Sequence, residues 1–134
     1  MKDHNDRALY GKLIDEKVVE CSADEASVQF RDSDRTVRRT EYRTGHFIST
    51  IFLVINHGHA SDLWFETMVF GEKGTDEIEM DGRRYATYEG AVVGHNEFVV
   101  HWNKKLNQTG VTVTSRTEIV IGGLTQTGRR KIEI

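Results

Sequence analysis

The sequence predicts an α+β domain, an antiparallel β-sheet with one main α-helix packed across it. Two runs, His46–Ile55 and Leu63–Phe70, are apolar at odd and even positions alike. Seven residues join them, too few for a parallel crossover, so they read as antiparallel neighbours inside a sheet. From Tyr88 to Leu106 apolar side chains recur at spacings of three and four, the period of an amphipathic helix. Shorter stretches before and after these alternate with the period-two pattern of half-buried strands. The 134 residues suit a single domain, 1–134, with residues 1–8 as a flexible tail.

In chain order, Leu9 to Glu20 fits a short helix about as well as a strand, with a strand favoured around Lys17–Cys21. Ser22 to Glu25 reads as a turn, and Ala26-Ser27-Val28-Gln29-Phe30 alternates like a strand. Thr36 to Thr44 has only Val37 and Tyr42 as apolar content. With Arg35, Arg38, Arg39 and Arg43 it reads as an edge strand guarded by charge. His46–Ile55 places Ile48, Phe52 and Val54 on one face and Phe47, Ile51, Leu53 and Ile55 on the other, a central strand covered on both sides. Leu63–Phe70 repeats that pattern except at Glu66 and Thr67. Gly71 to Gly82 is an acidic loop or hairpin, five carboxylates against Lys73.

Thr87 is placed to cap the helix, Glu89 complements its positive end, and the body runs to Leu106. The stripe is Tyr88, Ala91, Val92, His95, Phe98, Val99, Trp102 and Leu106. Gly90 and Gly94 interrupt it at up to about 1 kcal/mol each against Ala, which points to close packing on the sheet. Val111 to Ile121 alternates, Gly122-Gly123 signals a hairpin turn, and Leu124–Ile134 is a final strand.

Composition excludes several classes. A net charge of −3 argues against non-specific nucleic-acid binding over the whole surface. One cysteine, Cys21, allows neither an intrachain disulfide nor a thiolate metal cage, and reads as a structural thiol. The polar N-terminus lacks the apolar core of a secretory signal, and the nine-residue run Phe47–Ile55 is too short for a membrane helix of about 20 residues. The expectation is a cytoplasmic protein with no membrane contact. Charge is uneven. The segment 104–134 carries six cations and two anions, while 72–81 has five anions and one cation. The two blocks are two solvated faces, or they meet within one molecule or across subunits of a homo-oligomer.

Glu66 lies among large apolar side chains, where burial raises a carboxyl pKa and suits an acid, base or ligand acceptor. A structural glutamate paired with an arginine accounts for the same residue. His57 and His59 flank Gly58, with Asp62 nearby, a donor set that could hold zinc or iron, but no fourth ligand follows at a fitting distance. No metal or other cofactor is therefore expected. His95 sits on the helix's apolar stripe, where a core histidine is the ordinary reading; helix on sheet also allows a His57/Glu66/His95 cluster. The arginines from Arg35 to Arg43 could hold phosphate, or belong to a solvated strand. No nucleophile elbow, phosphate loop or dinucleotide fingerprint is present.

Three blocks in order, Ile48-Ser49-Thr50-Ile51-Phe52-Leu53 with His57, Leu63 through Gly71, and Arg84-Tyr85-Ala86-Thr87 followed by Ala91-Val92-Val93-Gly94-His95, resemble a group of small proteins of tailed bacteriophages. The resemblance covers residues 48–95. It implies a phage accessory protein acting in the cytoplasm of the infected cell, and it draws attention to His57, Glu66 and His95, which fall on the pattern.

These readings favour a non-enzymatic binding module for a small polar ligand, a nucleotide among the candidates, or for a host protein. Its candidate ligand residues are His57, Glu66, His95, Trp64 and Arg84. Two alternatives stand beside it: a small hydrolase using the His/Glu cluster, and a virion or assembly component whose charge blocks meet between subunits.

Overall fold

The computed structural model describes residues 7–71, 81–114, 117–121, 124–128 and 132–133, with side chains described over 7–71 and 81–113. The acidic run 72–80, Gly122-Gly123, and Arg116, Arg129, Arg130 and Lys131 of the basic block lie outside the described residues.

The chain opens with a hairpin of β1 (Gly11–Ile14) and β2 (Lys17–Glu20). Ile14 pairs with Lys17, so Asp15 and Glu16 form a two-residue turn, at φ 50° and 66°. That is the left-handed geometry of the turns that match strand twist. Helix α1 (Ala23–Asp32) follows, where the sequence suggested a turn and a strand over Ala26–Phe30. Ser22 Oγ accepts from the Glu25 amide at 3.1 Å, and the Glu25 carboxylate accepts from the Ser22 amide at 3.3 Å. This reciprocal cap satisfies two otherwise orphaned donors and outweighs five residues of alternation. Ala26 is buried, while Val28 and Phe30, inward in the strand reading, are about half exposed.

The main sheet contains β3 (Thr36–Glu41), β4 (Phe47–Phe52), β5 (Phe65–Phe70), β6 (Asp81–Tyr85) and, after helix α2 (Tyr88–Leu106), β7 (Val111–Thr114). Then come β8 (Thr117–Ile121), β9 (Leu124–Gly128) and β10 (Ile132–Glu133). The strand order is β10-β7-β3-β4-β5-β6 with every pair antiparallel, and β8 pairs with β9. Ile121 pairs with Leu124, leaving two residues for the connection expected there. Each of the two expected final strands is thus split in two, the first into β7 and β8 and the second into β9 and β10. No helix among the described residues is long and apolar enough to cross a membrane.

β3 is interior, not an edge, since it pairs with both β4 and β7. Its arginines fit because their long stems leave the strand for partners on different sides. Arg39 pairs with Glu41 at 2.9 Å and lies 3.9 Å over the Phe47 ring. Arg38 reaches Asn96 on α2, and Arg35 donates to the Phe52 carbonyl at 3.1 Å. Arg35, Arg38 and Arg39 therefore do not converge on one phosphate-sized site.

Helix α2 packs on β3, β4, β5 and β6. Ile48, Thr50 and Phe52 of β4 and Phe65, Thr67 and Val69 of β5 are buried beneath it. The alternate residues, Phe47, Ser49, Ile51, Glu66, Met68 and Phe70, lie on the opposite face and are only half buried. β4 is central as expected, but a described element covers it on one side only.

Thr87 caps α2 by accepting from the Gly90 amide at 3.0 Å, and Asn107 closes it in the left-handed conformation. Gly94 is the point of close approach. A Cβ there would stand 2.1 Å from the Tyr85 ring. Gly94→Ala is therefore expected to destabilise the protein by about 1–3 kcal/mol despite its better helix propensity, read as a lower denaturant midpoint.

At the end of β4, Val54 is fully buried at φ 71°, a costly conformation for a β-branched residue. The bend lets the Val54 carbonyl accept from the Gly11 amide at 2.9 Å, tying the first hairpin to the sheet.

Candidate functional site

The core divides along α2. At one end Phe52, Phe65 and Ala91 join Cys21, Val54 and Trp64; at the other Ile48 and Val69 pack with Tyr42 and Trp102. Between the two apolar clusters lies a polar layer of Thr40, Thr50, Thr67, His95 and Thr112, each at most 9% exposed. His95 Nε2 is 2.8 Å from Thr40 Oγ1, and Nδ1 is 2.7 Å from Thr50 Oγ1. Thr50 continues to Thr67 at 2.5 Å, and Thr40 to Thr112 at 2.6 Å. The imidazole thus bridges two hydroxyl pairs and links β7, β3, β4 and β5.

A neutral imidazole donates through one ring nitrogen and accepts through the other, so the protons along this chain can all run one way. Burial, reinforced by the Arg38 charge, pushes the His95 pKa down to about 4. His95 is enclosed and uncharged near neutrality, a core histidine bonded to side-chain hydroxyls. Nothing in solvent reaches it.

The other expected site residues lie elsewhere. Glu66 sits on the face away from α2 and accepts from Arg84 Nε at 2.8 Å, the structural pairing that was its alternative reading. His57 is exposed in the loop after β4, its amide donating to the Leu63 carbonyl. Glu66 and Arg84 therefore come together, whereas His57, Glu66 and His95 do not converge. The sheet itself separates Glu66 from His95, because adjacent residues on β5 point to opposite faces.

His59 is also exposed, and Asp62 accepts from the Asn56 amide at 2.8 Å. Asn56 organises this loop, with its Oδ1 accepting from the Gly58 and Leu63 amides and its Nδ2 also donating to the Ala8 carbonyl. Among the described residues, no three of His, Cys, Asp and Glu form a metal-holding group. The Cys21 thiol is buried and pushed up by that burial, as suits a structural cysteine.

Trp64, the fifth expected residue, borders a groove of about 640 Å³ between the tip of the first hairpin and the start of α2. Trp64 and Tyr88 give this groove aromatic surface, and Asp15, Glu16, Asp62 and Glu89 bring carboxylates against Lys17. A second groove of about 650 Å³ continues past Glu16, Tyr88 and Glu89 toward Val92 and Arg38. Burial pushes the Tyr88 phenol up, and the charge of Glu16, together with hydrogen bonding to it, adds to the rise.

Sequence reasoning missed this groove because its walls come from the hairpin turn, the loop after β4 and the first turn of α2. It also missed the threonines. Their one signal was parity, since Thr50 and Thr67 interrupt apolar runs on the face that α2 covers. No family model, curated protein or solved structure matches this chain.

Proposed function

We propose that this chain is a non-enzymatic binding module, in keeping with the phage accessory role its motifs suggest, and that it takes a small polar ligand in the groove beside Trp64 and Tyr88. The observation that carries this reading is the conjunction of two aromatic side chains with four carboxylates around one cavity of ligand size. Aromatic faces and carboxylates both attract cations. The favoured ligand therefore bears an amino or guanidino group on a compact body. A basic side chain of a host protein offers the same chemistry. Nucleotides are disfavoured here, because the rim would repel phosphate. A His/Glu hydrolase is disfavoured by geometry, since a general base must come within about 3.2 Å of its proton and the three candidate groups lie apart.

Thermal unfolding with putrescine, arginine amide, a lysine-containing peptide and nucleotides tests the proposal. The amines and the peptide are expected to stabilise, by about 2.7 kcal/mol at 100 times the dissociation constant. Nucleotides are expected to do nothing. Glu16→Gln with Glu89→Gln is expected to remove the response. No response to any cation, or an equal response in the double variant, would sink the groove as the site.

A further inference from the structure

We infer that the sheet face opposite α2 is a self-association surface, occupied by the same face of a second copy of this chain. Its middle is apolar. Phe47 and Phe70 stack at 4.6 Å between ring centres, with Ile51 and Met68 on the same side and only half buried. The polar groups flanking it are already arranged as ion pairs. Arg39 meets Glu41 at 2.9 Å toward β3, and Arg84 meets Glu66 at 2.8 Å toward β6.

That charge pattern decides the occupant. A two-fold contact sets one patch against its own copy, so a patch of one sign repels itself. Among the described residues, this face carries two cations and two anions. A second copy can therefore approach with each pair facing the opposite order of signs. A nucleic-acid face needs uncompensated cations, and the carboxylates remove them. None of the described grooves opens on this face. An apolar middle rich in Phe and Met, rimmed by Arg and its partners, is the anatomy of a protein–protein interface. Two sheets packed face to face at about 10 Å would bring these side chains into contact.

Light scattering and sedimentation from low-micromolar to millimolar protein provide the test. A dimer of twice the 15.3 kDa chain mass is expected, and it should persist in high salt, unlike an assembly joined through opposite charge blocks. Ser49→Arg and Met68→Lys place a cation on the face without touching residues beneath α2. Each is expected to weaken the dimer at least 100-fold while retaining native circular dichroism.

A wild type that stays monomeric throughout overturns the inference, as does a dimer kept by both folded variants. A monomer that retards a single-stranded oligonucleotide overturns it in favour of a nucleic-acid face. Should both variants fail to fold, peroxide oxidation of Met68 in the wild type decides. Slower oxidation as protein concentration rises supports the inference, and a constant rate overturns it.

Discussion

Acidification from pH 6.5 to pH 4 is expected to remove about 3 kcal/mol of stability through His95 alone. In the folded protein burial and the Arg38 charge hold its pKa near 4, whereas the unfolded chain titrates near 6.5. Between those values the unfolded state binds the extra proton, so protonation favours unfolding. The stability is fully present above the unfolded pKa and declines as pH falls toward the folded one; below that it changes no further on account of this group. A protonated ring would also donate from both nitrogens, which removes the acceptor used by one of the two flanking hydroxyls. Urea unfolding of the wild type and of His95→Phe at matched pH values isolates the effect. The difference between the two proteins should change by about 3 kcal/mol across the window. A constant difference would show that His95 is not held neutral by its surroundings.

Removing the ring altogether has a comparable or larger effect. His95→Ala is expected to cost about 4 kcal/mol at neutral pH, because it opens a cavity in a fully buried layer and takes a partner from both Thr40 and Thr50. The hydroxyls retain Thr112 and Thr67, so the loss is not the sum of four broken bonds. His95→Phe refills the space without restoring the polar contacts, and about 2 kcal/mol is expected. Denaturant midpoints should therefore rank wild type above Phe above Ala. A cost below about 1 kcal/mol for Ala would mean that the layer closes over the gap, against the close packing of protein interiors.

Local signals were read well where one stretch of chain decides the outcome. The helix from Tyr88 to Leu106 and its Thr87 cap follow from residues three and four apart. The antiparallel pairing of Phe47–Phe52 with Phe65–Phe70 follows from apolar content and a short connection. The first helix was missed although its signal was equally local, for Ser22 and Glu25 stand in capping-box spacing. Val28 and Phe30 look inward in a strand and turn out exposed on a helix. The arginines of β3 misled in another way. Charge along a strand does not mark an edge when each side chain has a partner to reach.

The candidate site was less legible. Glu66 was singled out for its apolar neighbours, but its partner Arg84 arrives from a strand 18 positions later, and only the register of the two strands brings them together. Threonine is common in strands, so Thr40, Thr50, Thr67 and Thr112 carry no individual signal. Their meaning comes from two registers, Thr40 opposite Thr112 and Thr50 opposite Thr67, and from the rotation of α2 that drops His95 between them.

Periodicity, capping chemistry and connection length, read from the chain alone, determined that an antiparallel sheet carries one long amphipathic helix. Each of these acts over a few residues and needs no distant partner. Only the tertiary structure decided which polar side chains meet. Strand register and helix rotation set those distances, and both emerge from the packing of segments far apart in the chain. A shift of one residue would move Thr50 to the open face and leave His95 without its hydroxyls.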